Sequence, residues 1–93
     1  MSKEILKDKI ALITGASRGI GAEIAKAYAE AGAHVILMAR TARALEDVDD
    51  AINAIGGQAT LMPLDLMKLD ELERLGPTLY ERFGKLDIFV ANA

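Results

Sequence analysis

The sequence contains no cysteine, only one histidine and no run of basic residues. Without thiols the chain can form neither a disulfide framework nor a thiolate metal site, and a single imidazole cannot build a metal centre. A net charge of −3 without basic clusters leaves no electrostatic footprint for nucleic acid. These absences exclude a cysteine-based or histidine-based metal centre, and they argue against a nucleic-acid partner.

The chain also lacks a long apolar segment. Residues 1–9 mix both charge signs and precede only a short apolar stretch, which matches neither a secretory signal nor a membrane span. We therefore expect a cytoplasmic protein that does not associate with membranes. With 52% hydrophobic residues, positions 1–93 are predicted to form one globular segment with a thin core.

Four short apolar stretches are typical of strands that are buried on both faces. The first three are each followed by apolar residues at helical spacing, and glycines mark the helix ends. The predicted strands are 9–14, 34–39, 58–64 and 86–91, and the predicted helices are 19–32, 45–55 and 69–83. This βαβαβαβ order implies right-handed crossovers and a Rossmann-like, doubly wound parallel sheet of the α/β class, with strand order 3-2-1-4.

Two prolines and one strand constrain this arrangement. Pro63 must lie at the end of the third strand, because it cannot donate to a strand ladder. Pro77 follows Gly76 within the third helix, where a proline costs about 3 kcal/mol, so we expect a kink or break there. The fourth strand is expected at an open edge, which a fifth strand covers in a complete fold of this kind.

The turn between the first strand and the first helix carries Gly15, Gly19 and Gly21 in a G-x-x-x-G-x-G spacing. Gly15 lets the chain leave the strand, while Gly19 and Gly21 let the backbone approach a phosphate and the helix pack closely. The free donors and positive dipole end of the helix then face a pyrophosphate, for which Ser17 and Arg18 are suitable partners. Glycine-rich turns also arise for steric reasons alone, but the position between a buried strand and an amphipathic helix favours a dinucleotide site.

Arg40 and Thr41 follow the second strand about 20 residues beyond the glycine loop, where an NAD site needs an acidic residue for the ribose 2′-hydroxyl. An arginine can instead pair with the 2′-phosphate of NADP. Hydrogen bonds to charged groups contribute about 1.5 to 3 kcal/mol, or about tenfold to a hundredfold in affinity. The sequence therefore favours NADP(H) over NAD(H), with Arg18 able to add to the preference. The alternative is that Arg40 is a solvated surface charge.

Residues 14–21, Thr-Gly-Ala-Ser-Arg-Gly-Ile-Gly, resemble the cofactor signature of the short-chain dehydrogenase/reductase superfamily, and look closest to 3-oxoacyl-carrier-protein-reductase-like members. Asp65-Leu66 after the third strand and Asn92-Ala93 after the fourth resemble two further family motifs. The resemblance spans essentially the whole chain. It implies a nicotinamide-dependent oxidoreductase with a small carbonyl or alcohol substrate, and it places Ile20 in the cofactor loop.

The resemblance also implies roles for the two later motifs. The Asp65 carboxylate would accept from the adenine amino group, while the backbone beside it, at Leu66, lines the adenine pocket. The backbone of Asn92 and Ala93 would run alongside the bound cofactor, and Asn92 would stabilise the central sheet. The alternatives are that Asp65 merely begins the third helical region and that Asn92 is a polar strand terminus.

Members of the family exchange a proton with substrate through a Tyr-x-x-x-Lys pair and a nearby serine. Tyr28 and Tyr80 are the only tyrosines, and Gly32 and Gly84 stand at the corresponding lysine positions. We therefore assign no catalytic residue, expect the catalytic half beyond Ala93, and predict that this chain is a fragment without activity by itself. The alternatives are a non-catalytic nucleotide-binding module and a half-domain that self-associates through the fourth strand. A homo-oligomer is expected.

The remaining titratable candidates have simpler interpretations. His34 opens the second strand, far in sequence from the other candidates, and is interpreted as a structural residue. The acidic residues of the second helix interleave with its apolar positions, which indicates a solvated face rather than a metal site. They are Glu46, Asp47, Asp49 and Asp50.

Overall fold

The computed structural model describes residues 5–17, 19–63 and 69–91. Strands and helices alternate along the chain as predicted. The strands are β1 (Ile10–Thr14), β2 (His34–Ala39), β3 (Gln58–Pro63) and β4 (Ile88–Val90). The helices are α1 (Gly19–Glu30), α2 (Glu46–Ala54) and α3 (Leu69–Phe83), with a 3-10 turn (Arg43–Leu45) immediately before α2.

The four strands form one parallel sheet in the order β3-β2-β1-β4, which confirms the predicted topology. Leu12 of β1 is in register with Ile36 on one side and with Phe89 on the other. Register partners in neighbouring parallel strands share a face of the sheet, so these three side chains point to the same side.

One face of the sheet carries α1 and α2. The alanines of α1 present little volume, so the helix packs closely on the branched side chains of the strands. Full burial of such a branched side chain stabilises the fold by about 1.5 to 3 kcal/mol. The buried residues of this face are Ala11, Ile13, Val35 and Leu37 from the sheet, Ala22, Ala25 and Ala29 from α1, and Val48 and Ile52 from α2.

Among the elements that the structure describes, the opposite face carries only α3. Its buried residues are Leu12, Ile36, Met38, Met62 and Leu79. Phe89 lies on this face but is 59% exposed. The helix therefore covers the side of the sheet formed by β1, β2 and β3 and leaves β4 open. No helix among the described residues combines the length and apolar character that a membrane crossing requires.

The short strand β4 is joined to β1 at both ends. The N–H of Asp87 donates to the carbonyl oxygen of Ile10 at 2.9 Å, and the Ile10 N–H donates to Asp87 Oδ2 at 2.8 Å. At the other end, Thr14 Oγ1 donates to the carbonyl oxygen of Val90 at 3.4 Å. These contacts hold an edge strand that has few residues of its own to pair.

The prediction at Gly76-Pro77 was a kink or a break, and the break is wrong, because α3 continues through Pro77 to Phe83 as one element. The Cδ atom of a proline clashes with the Cβ atom of the preceding residue, which disfavours helical backbone angles there. Gly76 has no Cβ atom, so this part of the clash is absent. Gly76 and Pro77 are both exposed, so water can satisfy the carbonyl group that loses its donor. Several boundaries also differ by a few residues. The helix α1 ends at Glu30 rather than at the glycine, β1 and β4 are shorter than predicted, and α2 spans Glu46–Ala54 rather than 45–55.

Candidate functional site

Two cavities lie at opposite ends of the sheet. The larger, about 660 Å³, lies at the amino ends of the strands, and Lys9, His34 and Gln58 are among its lining residues. The smaller, about 550 Å³, lies at the carboxyl ends of β1 and β2. Ligands of open α/β sheets bind outside the carboxyl ends of the strands, so the smaller cavity is the candidate site despite its size. Its lining residues are Ser17, Ala39, Arg40, Thr41 and Ala44.

The glycine loop between β1 and α1 has the backbone conformation that its residues predict. Gly15 has a φ of 59° and Gly19 a φ of 64°, which lie in the left-handed region that side chains disfavour. A Cβ atom added to Gly19 would meet no heavy atom within 4 Å. The start of α1 therefore presents backbone that a ligand can approach.

Two hydrogen bonds position this loop relative to its neighbouring strands. The N–H of Ala16 donates to the carbonyl oxygen of Met38 at 3.2 Å, which joins the loop to β2. Thr14, which is only 2% exposed, bonds through Oγ1 to Val90 in β4. Neither contact was found from the sequence. The signal for the second was a hydroxyl residue that ends an otherwise apolar strand.

The first turn of α1 contains no acidic side chain, so nothing on the helix itself neutralises its positive dipole end. Gly21 is buried on the side that faces the sheet. Ile20 points the other way and is 71% exposed. The turn thus combines an electropositive helix end with an exposed apolar contact.

Arg40 and Thr41 are exposed at the end of β2. Thr41 Oγ1 accepts from the N–H of Ala44 at 3.4 Å, and this contact accompanies the 3-10 turn that follows β2. No hydrogen bond or ion pair joins the Arg40 side chain to another residue in the part of the chain that the structure describes. The Arg40 guanidinium, which has no acidic partner among the described residues, lines the same cavity as Ser17. Ala44 is a cavity residue that the sequence did not reveal, although it lies one helical turn after Thr41.

Several predicted site residues lie outside the described part of the chain. They are Arg18, Asp65, Leu66, Asn92 and Ala93. Of the others, Ser17, Arg40 and Thr41 line one cavity, and Gly15, Gly19, Ile20 and Gly21 belong to the turn that contributes Ser17 to it.

His34 lies at the opposite end of the sheet from the glycine loop. Its Nε2 atom is 2.7 Å from Thr60 Oγ1, and the Phe83 ring packs edge-on against it with centroids 5.3 Å apart. Burial, together with the positive charge of Arg82, lowers the pKa of His34 below its ordinary value. These contacts agree with a structural role.

The acidic side chains of α2 do not converge on a metal-binding arrangement. Glu46, Asp47 and Asp50 are exposed, and those in the first turn lie where negative charge complements the helix dipole. Among residues 5–17, 19–63 and 69–91, no three histidine or carboxylate side chains are grouped closely enough to hold a metal ion. The acidic residues of α2 therefore belong to its solvated face, where those of the first turn stabilise the helix.

Comparison with known proteins identifies a family. Residues 9–93 match the family model described as short chain dehydrogenase. The chain is 46% identical over 91 residues to a fatty acyl-CoA reductase of Acinetobacter baylyi, covering 98% of this chain and 31% of the relative. It is 42% identical over 89 residues to a hydroxynaphthalene reductase of Aspergillus fumigatus, covering 95% of this chain and 33% of the relative.

Solved structures are similar over nearly the whole chain. A metagenomic short-chain oxidoreductase in complex with NADP has a TM-score of 0.90 and 38% identity, over 94% of this chain and 39% of its own. A hydroxysteroid dehydrogenase from Escherichia coli has a TM-score of 0.87 and 42% identity, over 98% of this chain and 39% of its own. The chain spans about a third of the length of the curated relatives it matches.

Proposed function

The chain belongs to the short-chain dehydrogenase family, and from this premise we propose that it supplies the cofactor-binding part of an NADP(H)-dependent oxidoreductase that acts on a carbonyl or alcohol. The observation that carries the proposal is the cavity at the carboxyl ends of β1 and β2, where Ser17 and Arg40 line one space beside the glycine loop. Bound there, the nicotinamide cofactor would supply the hydride chemistry.

The start of α1 fits the pyrophosphate of such a cofactor. The open space at Gly19 admits a phosphate close to the backbone, and the first N–H groups of the helix have no intrahelical acceptor. The Ser17 hydroxyl can donate to the same group, and Arg18 adds a positive charge in the same loop. Ile20 supplies an apolar contact at the edge of this site.

Arg40 would distinguish NADP from NAD. Its guanidinium can form a bidentate pair with a 2′-phosphate, while Thr41 offers a hydroxyl beside it. An exposed arginine that merely carries surface charge would contribute little to either cofactor. The absence of an internal acidic partner for Arg40 within the described residues supports the first role, because the charge is available to a ligand.

The roles of Asp65, Leu66, Asn92 and Ala93 remain proposals that rest on the resemblance of their motifs to the family pattern. Asp65 and Leu66 would contact the adenine, and Asn92 and Ala93 would lie along the cofactor. The chain carries no Tyr-x-x-x-Lys pair, so we propose that it binds cofactor without catalysing reduction by itself. A cytoplasmic location and a homo-oligomeric state are proposed on the same footing.

Titration of the 93-residue chain with NADPH and with NADH tests the cofactor proposal, with the fluorescence of the reduced nicotinamide as the signal. We expect NADPH to bind about tenfold to a hundredfold more tightly than NADH, because one charge-assisted contact is gained. Equal affinity for the two would contradict the role of Arg40, and failure to bind either would contradict the site itself.

A further inference from the structure

A groove of about 340 Å³ runs between α3 and the outer edge of β3, and we call it the edge groove. Leu61, Met62 and Pro63 form its strand side. Within the described residues β3 pairs only with β2, so its other edge is free. The 3-2-1-4 order of a doubly wound sheet keeps strand three at the outer edge even where more strands follow strand four. The edge groove shares no lining residue with the cavity at the carboxyl ends of β1 and β2.

Apart from a proline at its last position, the free edge of β3 lacks the features that usually prevent a sheet from pairing with another chain. Such edges are blunted by charged side chains, by prolines, by bulges or by very short strands. The six residues of β3, Gln-Ala-Thr-Leu-Met-Pro, carry no charge. Pro63 removes a backbone donor only at the last position. The edge can thus accept an added strand along most of its length.

The helix side of the edge groove combines an apolar contact with two positive charges. Arg74, Thr78 and Arg82 are spaced four residues apart, so they lie along one face of α3, and Leu75 lies beside them. Arg74 and Arg82 are eight positions apart in the helix, which corresponds to about 12 Å along the axis. Both arginines are exposed, and neither forms an ion pair within the described part of the chain.

The position of Arg82 shows how the arginines lie along the strands. The Arg82 guanidinium lies 5.4 Å from the centre of the Phe83 ring, which packs edge-on against His34 at the start of β2. Arg74 lies two turns nearer the start of α3, the helix that follows the carboxyl end of β3 in the chain. The two guanidinium groups therefore lie toward opposite ends of the edge groove, beside the free strand edge.

We propose that the edge groove binds an extended acidic peptide of a partner protein, which adds as a strand to β3 and carries acidic residues at positions i and i+4 with an apolar residue at i+2. Alternate residues of a strand share a face, and four strand residues span about 13 Å, which matches the spacing of the two arginines. Main-chain bonds to β3 would supply affinity, and the carboxylates would pair with Arg74 and Arg82. The apolar residue would rest on Met62 and Leu75.

The test measures fluorescence anisotropy of a labelled Glu-x-Leu-x-Glu peptide titrated with the full 93-residue chain. We expect saturable binding that weakens at least about tenfold in the double variant Arg74→Glu/Arg82→Glu, because two charge-assisted contacts are lost. The matched control, Lys7→Glu/Arg43→Glu, reverses two exposed cations outside the edge groove and should leave the affinity within about twofold. Equal weakening in both double variants would show a general charge effect and overturn the proposal.

Two changes of the peptide separate strand addition from simple attraction of charge. Moving the acids to a three-residue spacing places them on opposite faces of the strand, and methylation of alternate backbone nitrogens removes donors. Each change should weaken binding at least about fivefold. The first removes a carboxylate–arginine pair, and the second removes main-chain hydrogen bonds to β3. Unchanged binding in either case would overturn the proposal. Binding of the chain to phosphatidylserine vesicles as tightly as to the Glu-x-Leu-x-Glu peptide would also overturn it.

A rescue experiment keeps the test independent of any loss of folding. A Lys-x-Leu-x-Lys peptide should bind the Arg74→Glu/Arg82→Glu variant more tightly than the unaltered chain, and the opposite order would count against the proposal. NADPH should bind the Arg74→Glu/Arg82→Glu variant with the same affinity as the unaltered chain. The two titrations therefore test the cofactor proposal and the edge-groove proposal separately, so that either can be contradicted without the other.

Discussion

Oγ1 of Thr14 lies 3.4 Å from the carbonyl oxygen of Val90, so the last residue of β1 is joined to the last residue of β4. The glycine loop begins one residue after Thr14. Because Thr14 is buried, its hydroxyl group needs a partner inside the fold, and the contact also holds the carboxyl end of the edge strand beside the candidate cofactor site.

Replacement Thr14→Val tests this contact. The change keeps the shape of the side chain but removes the hydroxyl, so we expect the free energy of unfolding to fall by about 1 kcal/mol in urea denaturation. The same change at the exposed Thr78 in α3 is the control, with an expected effect within about 0.5 kcal/mol. Equal effects at the two positions would mean that the Thr14 hydroxyl adds no stability.

Replacement Arg40→Asp tests cofactor discrimination. We expect NADPH affinity to fall by about tenfold to a hundredfold, since the carboxylate repels a 2′-phosphate, while NADH affinity is kept or improved. Arg43→Asp makes the same charge change at an exposed residue that does not line the cavity, and should alter the NADPH to NADH ratio much less. If the ratio of NADPH affinity to NADH affinity is unchanged in the Arg40→Asp variant, Arg40 does not contact the cofactor and only contributes to the surface charge.

Replacement Gly57→Ala tests how closely the turn after α2 packs against Ile52 of α2 and Ala29 of α1. An added Cβ would lie 2.9 Å from Cγ2 of Ile52 and 3.1 Å from Cβ of Ala29. Such crowding costs about 1 to 3 kcal/mol, measured as a lower free energy of unfolding. Gly76→Ala is the control, because a Cβ there meets no heavy atom within 4 Å. At Gly76 the gain in helix propensity opposes the restriction before proline, so we expect a change within about 1 kcal/mol. A Gly57 variant as stable as the control would contradict this packing.

His34 predicts a pH dependence of stability. Burial, and then the charge of Arg82, hold the pKa of His34 below its ordinary value of 6.5. Between the lowered pKa of His34 in the folded chain and its ordinary pKa in the unfolded chain, the unfolded chain binds more protons than the folded one. The free energy of unfolding therefore rises with pH through that window. The stability that the neutral His34 ring contributes is complete above about pH 6.5, and it is lost as the pH falls toward the pKa of His34 in the folded chain.

Urea midpoints of the unaltered chain and of His34→Gln, measured from about pH 5 to pH 7.5, check this dependence. The variant should lose the part of the slope that lies below the ordinary pKa of histidine, while carboxylate contributions remain in both proteins. A slope of the opposite sign in the difference between the two proteins would show that the folded state prefers the charged imidazole.

The exposed side of β4 predicts self-association. Among the described residues β4 pairs only with β1, and the Phe89 side chain is 59% exposed. Phe89→Lys should shift sedimentation toward the monomer, because a charge blunts an open strand edge. Tyr80→Lys makes a similar change on α3, at a residue that is 72% exposed, and should not alter the oligomeric state. A chain that is monomeric at every concentration would contradict the prediction.

Local patterns were sufficient for the elements and for the composition of the loop. Apolar spacing identified each strand and helix, and the glycines marked their ends, because both signals act over a few residues. The error at Pro77 came from treating the proline separately from the residue before it. Gly76 removes the Cβ that would otherwise clash, so the helix continues.

The sequence by itself determined the alternation of strands and helices, the glycine loop and the presence of an arginine after β2. Only the tertiary structure decided which residues meet: Ser17 and Arg40 across one cavity, Thr14 with Val90, and the two arginines of α3 beside the free edge of β3. Periodicity and turn chemistry are properties of neighbouring residues. Contacts between distant residues depend instead on strand order, register and helix packing, which the whole chain establishes together.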